Sequence, residues 1–275
     1  MKLSLKNKNA VITGASSGIG RAAAKNFAQR GTNVVLASRN SEKLKELQEE
    51  LGTYNIKTLV IETDVRKLKD CRNLLLESSE KLGGIDIIVN NAGFTRRGIL
   101  KNLPIKDLDR TIDVNLRATI RLSKLVIPYL MKRGGGRIIN ISSILGIMPI
   151  PTESVYSATK FAIRGFSYAL AEELKDTGIT VSVVSPGPVN TTFIMNDIES
   201  LNDIVLSSPL SSADDIAKLI VMSAEDGKME RIKPPHTGIL AKIGFLFPSI
   251  SKIASPFMES QGRKKKKKLL NIQNK

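Results

Sequence analysis

Two side chains four residues apart could move a proton. Tyr156 and Lys160 stand in the run Tyr156-Ser157-Ala158-Thr159-Lys160. On a helix, positions i and i+4 share a face, so the phenol and the ammonium would sit side by side. A free tyrosine ionises at about pH 10, too high for efficient proton exchange at neutral pH. A neighbouring cation favours the phenolate and predicts a lowered value. The pair alone says little, because any helix can carry it.

A second group of residues suits a phosphate ligand. Thr13-Gly14-Ala15-Ser16-Ser17-Gly18-Ile19-Gly20 links an apolar run to a helical pattern. Glycines let the backbone turn tightly and approach a ligand, and a helix start offers free N–H groups to a pyrophosphate. The spacing is G-x-x-x-G-x-G rather than the commoner G-x-G-x-x-G. Ser16 and Ser17 read as donors in this loop rather than nucleophiles. An ordinary tight turn would look similar, but the place after the first strand favours a dinucleotide. About 20 residues further on, a protein that binds NAD(H) usually carries an acid for the ribose 2′-hydroxyl. Here the residues are Ser38-Arg39-Asn40. No acid repels a 2′-phosphate, and Arg39 can pair with one. NADP(H) is therefore favoured, with NAD(H) as the second choice.

These residues need a frame. Apolar, β-branched runs occur at Ala10–Thr13, Val34–Ala37, Thr58–Ile61, Ile85–Val89, Arg137–Ile141 and Thr180–Val184. Helical patterns separate them at about 19–30, 41–51, 67–82, 105–132 and 154–176. Runs that are wholly apolar rather than alternating fit parallel strands covered on both faces. Repeated βα units predict an α/β fold, a doubly wound parallel sheet of the Rossmann type. Regularity fades after Ser185. Residues 191–209 are expected to form a flexible lobe, 211–224 a helix, and 231–235 a last short strand ended by its prolines. The chain divides into a catalytic domain at 1–235 and an amphipathic, polybasic extension at 236–275.

The bulk composition narrows the classes. With 275 residues and 41% hydrophobic content, the chain can bury a sizeable core. No apolar stretch is long enough to span a bilayer, and the polar start predicts no secretory leader. Cys71 is the single cysteine, which excludes an internal disulfide and fits a reducing, cytoplasmic compartment. The net charge is +16, with six positive charges in the run Arg263–Lys268. Aromatics make up only 4% and Trp is absent, which argues against nucleic acid as the partner.

Taken together, the motifs resemble the short-chain dehydrogenase/reductase family. The matching elements are the turn Thr13–Gly20, Asp64-Val65, Asn90-Asn91-Ala92-Gly93, Asn115, Ser142-Ser143, Tyr156-x-x-x-Lys160 and Pro186-Gly187-Pro188-Val189-Asn190-Thr191. They run from residue 7 to about 192 in family order. Each is modest; the ordered set is specific. The resemblance implies an NAD(P)-dependent oxidoreductase that interconverts a carbonyl and an alcohol. Tyr156 would be the acid/base, with Lys160 beside it and on the nicotinamide ribose. Ser143 would bind the substrate oxygen, and Asn115 would help hold a water in a relay to the lysine. Cofactor contacts would come from Gly14, Ser16, Ser17, Gly18, Ile19, Gly20 and Arg39. Others would come from Asp64, Val65, Asn91, Ala92, Gly93, Tyr156, Lys160, Pro186, Gly187, Val189 and Thr191. Asn90 is read instead as a brace of the sheet. The family's habit of forming dimers or tetramers predicts a homo-oligomer.

Other readings carry less. A serine hydrolase built on Ser143 would need a histidine base, and the single His236 lies far downstream in a Pro-Pro-His turn. Cys71 reads as a structural thiol. Asp107, Asp109 and Asp113 read as helix caps and exposed faces rather than a metal cluster. The end of the chain leaves the commonest family pattern. Leu240, Ile243, Phe245, Leu246, Phe247, Ile250, Ile253 and Phe257 precede the basic run, an order suited to an anionic membrane interface. A lid, a dimer contact and a disordered tail are the alternatives. The substrate is expected to be apolar, of lipid, steroid or acyl type. A 3-oxoacyl thioester reductase, and a cofactor-binding regulator or scaffold on the same fold, are the competing functions.

Overall fold

The computed structural model describes residues 2–273; the side chains of Ile250, Ser251, Ile272 and Gln273 lie outside it. Seven strands form one sheet: β1 (Asn9–Thr13), β2 (Asn33–Ser38), β3 (Thr58–Glu62), β4 (Ile87–Asn90), β5 (Gly136–Ile141), β6 (Ile179–Pro186) and β7 (Glu230–Lys233). Their order is β3-β2-β1-β4-β5-β6-β7, and every pair is parallel. The order reverses between β1 and β4, which opens a crevice at the carboxyl ends of those strands.

The apolar runs have a simple cause. Successive strand side chains point to opposite faces. Ala10 and Ile12 enter one core, with Phe27, Leu44, Leu47 and Ile220, while Val11 enters the other, with Leu74, Leu122 and Leu170. Helices α1 (Gly18–Ala28) and α2 (Ser41–Leu51) cover the first face. Helix α3 (Leu68–Leu82) covers the second. Helices α4 (Ile105–Ile112), α5 (Ala118–Lys132) and α6 (Ser154–Glu173) follow in the chain. A buried polar ladder braces the sheet centre, as read for Asn90. Its Nδ2 donates to Asn140 Oδ1 at 2.8 Å and Ser123 Oγ at 3.1 Å.

Two regions differ from expectation, and a third gains definition. The helical stretch 105–132 is not one regular helix: a π-helical turn at Asp113–Arg117 separates α4 from α5. The 191–209 lobe is folded, with short helices α7 (Thr192–Met195) and α8 (Asp203–Ser207) around Ile194, Ile198, Leu201 and Leu206. Beyond helix α9 (Ala213–Asp226) and β7, the chain continues as α10 (Pro235–Leu246) and α11 (Pro248–Gln273). The basic run is thus the last part of a helix, and part of it turns inward. Lys265 Nζ donates to the Ser208 carbonyl at 2.8 Å, and Lys266 Nζ to those of Glu199 and Leu201 at 2.6 and 2.7 Å. Leu269 and Leu270 pack on the lobe's core. Carbonyls left open at the ends of short helical turns are natural partners for these ammonium groups.

Candidate active site

A cavity of about 700 Å³ occupies the crevice. Of the residues assigned from the sequence, Gly14, Ser16, Ser17, Gly18, Ile19, Arg39, Asp64, Val65, Asn91, Ala92, Gly93, Ser143, Tyr156, Lys160, Pro186, Gly187, Val189 and Thr191 line it. Gly20 and Asn115 are not on its wall. Gly20 lies beneath the turn, where a Cβ would stand 2.3 Å from the Gly14 carbonyl oxygen. Gly14 itself has φ +67°, a left-handed conformation that costs glycine least.

The glycine turn leaves α1 uncapped. Ser17 holds the N-cap position without a side-chain hydrogen bond to the first turn, and Ser17, Gly18 and Ile19 line the cavity. Such a terminus attracts an anion. Asn91 ties the opposite wall to this turn, its Nδ2 donating to the Thr13 carbonyl at 2.9 Å. Thr13 Oγ1 accepts from the backbone N–H of Asn91 and Ala92 at 3.0 and 3.1 Å.

One end of the cavity is cationic. Arg39 follows β2, and Arg66 and Arg110, which no motif marks, lie on the same wall. Arg66 clasps Asp64, with Nε to Oδ1 at 2.9 Å and Nη2 to Oδ2 at 2.5 Å. That contact holds the Asp64 carboxyl below its usual range. Arg110 lies 3.9 Å over the Phe94 ring, and its buried Nε has no protein partner. Burial and the charges of Arg39 and Arg66 lower its pKa. Arg39, Arg66 and Arg110 outnumber the two carboxylates on this wall, Glu42 and Asp64, which leaves this end net positive and suited to an anion.

The other end holds the proton-transfer groups. Ser143 caps the short turn Ile144–Gly146 after β5, its Oγ accepting from Leu145 N at 3.1 Å. Tyr156 and Lys160 occupy the first turns of α6, with Lys160 Nζ 5.4 Å from the Tyr156 ring centroid. The expected lowering of the phenol pKa is absent. Burial, then the Glu153 charge, push Tyr156 well above its usual value; a hydrogen bond with Ser143 and the charge of Arg97 oppose them. Burial likewise brings Lys160 down to about 7. Its ammonium donates to the Ile141 carbonyl at 2.8 Å, a neutral acceptor. Loss of water penalises both charged forms and outweighs their proximity.

Asn115 is fully buried in the π-helical turn. Its Oδ1 accepts from Phe94 N at 2.8 Å, and its Nδ2 donates to the Phe94 carbonyl at 2.9 Å and to Thr159 Oγ1 at 3.2 Å. The side chain thus joins the segment after β4 to α6, one residue from Lys160. The extra residue of a π-turn, frequent at functional sites, brings it there.

The remaining wall is apolar, built from Ile144, Leu145, Phe193, Ile194, Leu201 and Val205. Arg97 and Glu153 are the charges beside it, and they pair with each other at 2.8 Å. Neither was signalled by a motif. Glu153 is the N-cap of α6, three residues before Tyr156, whereas Arg97 reaches it from 56 residues away. Among the described residues, no group of three or more His, Cys, Asp or Glu side chains could hold a metal ion. His236 lies in the first turn of α10 and off the cavity wall, and Cys71 is buried in α3 with its thiol pushed up to about 11 by burial.

Comparison with known proteins agrees with this geometry. The family model described as short chain dehydrogenase matches residues 8–202. An uncharacterised oxidoreductase of Staphylococcus epidermidis is 39% identical over 187 residues, covering 68% of this chain and 80% of that protein. One from Staphylococcus aureus is 37% identical over the same shares. Among solved structures, a short chain dehydrogenase from Burkholderia cenocepacia in complex with NADP superposes with TM-score 0.77 at 30% identity. It covers 84% of this chain and 97% of its own. A short-chain type dehydrogenase/reductase from Mycobacterium marinum gives TM-score 0.77 at 30% identity, covering 83% and 94%.

Proposed function

The chain belongs to the short-chain dehydrogenase family and is an NAD(P)-dependent oxidoreductase, and from that premise we propose that it is an NADP(H)-dependent carbonyl reductase or alcohol dehydrogenase acting on an apolar small molecule. The observation that carries the reading is the convergence of Ser143, Tyr156 and Lys160 on one cavity with the uncapped α1 terminus. The residues fit a dinucleotide. The open N–H groups after Gly14 suit a pyrophosphate, and Arg39, Arg66 and Arg110 suit a further phosphate. Bound there, the nicotinamide would supply or accept the hydride. In reduction, Ser143 donates a hydrogen bond to the carbonyl oxygen as negative charge develops on it. Tyr156 then delivers its proton to that oxygen. Lys160 holds the polar edge of the site beside the phenol, and Asn115 fixes the backbone that faces it. In oxidation, Tyr156 takes the proton instead.

The apolar wall favours a neutral lipid, steroid or other hydrophobic carbonyl compound. A 3-oxoacyl thioester is the closest alternative. A cofactor-binding scaffold would have no need for both Tyr156 and Lys160. The direct test is NADPH oxidation against aldehydes, diketones, steroids and acyl thioesters; no turnover on any class would favour the scaffold. NADPH is expected to outcompete NADH, through Arg39. Arg39→Ala should cut the NADPH/NADH ratio of kcat/KM by about tenfold to a hundredfold, the worth of a charge-assisted bond. Equal use of both cofactors by the parent would remove the basis for this assignment.

A homodimer or tetramer through α4, α5 and α6 is part of this reading; Ile105, Ile120, Met131 and Tyr168 leave apolar surface exposed there. So is peripheral contact between the C-terminal helices and the cytosolic face of a membrane. Among the described residues no helix is long and apolar enough to cross one. Yet Ile239, Leu240, Leu246, Phe247, Ile253 and Phe257 are all more than half exposed. On α11, Ile253, Phe257, Lys264 and Lys268 recur at helical spacing and are exposed, so one face runs from apolar to basic. An anionic bilayer matches both halves. A second copy would set lysine against lysine. Sedimentation with vesicles is expected to retain the protein on phosphatidylcholine containing phosphatidylglycerol and not on phosphatidylcholine alone. Phe257→Glu should release it; no binding by the parent, or binding indifferent to the change, refutes the contact.

A further inference from the structure

The substrate end of the cavity holds a buried charge cluster to which the proposed function assigns no role. The side chains of Arg97 and Glu153 are each only 3% exposed. Arg97 Nε donates to Glu153 Oε1 at 2.8 Å, and Thr95 Oγ1 donates to Glu153 Oε2 at 2.8 Å. The rest of the guanidinium reaches the lobe. Nη1 lies 3.3 Å from Asp197 Oδ2, and Nη2 donates to the Phe193 carbonyl at 3.3 Å. The Phe193 ring is 5.6 Å from that guanidinium and 6.1 Å from the Tyr156 ring. A buried ion pair seldom stabilises more than apolar residues of the same volume would, so stability alone is a weak account of it.

The backbone adds a second observation. Thr152, immediately before Glu153, has φ +69°, and its buried hydroxyl has no protein partner. A β-branched residue in the left-handed region is strained, and such strain gathers at functional sites. The Thr152 carbonyl accepts from Gly98 N at 3.0 Å, which joins this strained corner to the Arg97 segment.

We propose that Glu153 is a positioning residue for Tyr156: its carboxylate, fixed by Arg97 and Thr95, keeps the proton on the phenol, and Arg97 extends that control to the 191–209 lobe. Glu153 is the N-cap of α6, three residues before Tyr156, and both line the same cavity. The charged groups around Tyr156 are Glu153 at the N-cap of α6, Lys160 from α6 and Arg97 from the segment after β4. Asp197 of the lobe stands behind Arg97. After burial, Glu153 is the largest influence raising the phenol pKa. The cluster therefore biases the site toward the form that donates in carbonyl reduction. This rests on Tyr156 as the acid/base, but its test needs no turnover.

The chain has four tyrosines and no tryptophan, so near-ultraviolet phenolate absorbance can be assigned to Tyr156 by subtracting the Tyr156→Phe trace. Glu153→Gln is expected to lower the Tyr156 midpoint by about one pH unit or more, about tenfold more phenolate at a fixed pH. Arg97→Met should leave it at or above the parent's. The double variant Glu153→Gln/Arg97→Met buries no unpaired charge, so it serves if a single variant fails to fold; its midpoint should fall between those of Glu153→Gln and the parent. Glu153→Asp should return the midpoint toward the parent's. Mere loosening of the site would move Arg97→Met and Glu153→Gln downward together, and that result overturns the proposal. So does an unmoved midpoint in Glu153→Gln or in the double variant. A failure of the acid/base reading would show instead as turnover retained by Tyr156→Phe.

Discussion

Tyr156→Phe is expected to fold and bind NADPH like the parent while losing about 10²–10⁴-fold in turnover, the usual worth of a placed proton donor. The substitution removes one hydroxyl and keeps the ring, which packs 6.1 Å from Phe193 and faces Lys160. It gives up a hydrogen bond with Ser143 at the oxygen-binding end. The cradle formed by Gly14, Ser16 and Ser17 is untouched, so cofactor affinity should stay within a few-fold. Turnover is read with the best substrate from the NADPH-oxidation screen, affinity by quenching or enhancement of NADPH fluorescence, and folding by thermal melt. Turnover within a few-fold of the parent would refute the acid/base assignment. The high phenol pKa gives the experiment a direction. A phenol that keeps its proton suits reduction near neutral pH, while oxidation should gain as pH rises. The two directions are therefore expected to have separate pH optima in the parent.

The frame of this site was legible because its physics is local. A strand covered on both faces must be apolar at every position, and Ala10-Val11-Ile12 serves two cores at once. The glycine turn is equally local, since Gly14 needs its left-handed φ and Gly20 has no room for a Cβ. What escaped detection depends on contacts between distant segments. Nothing in 105–132 marks Asp113–Arg117 as a π-turn rather than regular helix, because one inserted residue barely disturbs the apolar period. Arg97 and Glu153 carry no motif, and only the fold places them 2.8 Å apart. The direction of the Tyr156 shift is hidden from the sequence for a related reason. Spacing reveals a neighbouring ammonium but not how much water the site loses, and burial decides the sign. The run Arg263–Lys268 invites a reading as a solvated tail. In the helix, Lys265 and Lys266 find carbonyls of the lobe while Lys264, Lys267 and Lys268 face outward. A homopolymeric run cannot show which of its members will be used.

Lys160→Met should do the reverse of most active-site changes: end proton exchange at the site and raise the melting temperature. Lys160 is 4% exposed, and its ammonium meets a neutral carbonyl at 2.8 Å and the Tyr156 ring at 5.4 Å but no carboxylate, so its charge is poorly compensated. Burial takes it from an ordinary 10.5 to about 7. Below about pH 7, folded and unfolded chains both hold the proton, and the folded state bears the full cost of the buried charge. Between about 7 and 10.5 the unfolded chain holds a proton that the folded chain has released, so stability rises with pH across this window. Above 10.5 both are neutral and the cost is gone. Methionine removes the charge at every pH. Its benefit should be greatest below about pH 7, on the order of 2–4 kcal/mol after allowing for the Ile141 carbonyl it leaves unpaired. In a chain of this size that amounts to about 5 °C or more. The benefit should shrink steadily as pH climbs toward 10.5. Thermal melts of parent and variant across this range read it directly. A gain that is flat with pH, or largest at high pH, would mean that the ammonium is well solvated in the fold. The predicted pattern would identify Lys160 as a residue kept for chemistry at the expense of stability.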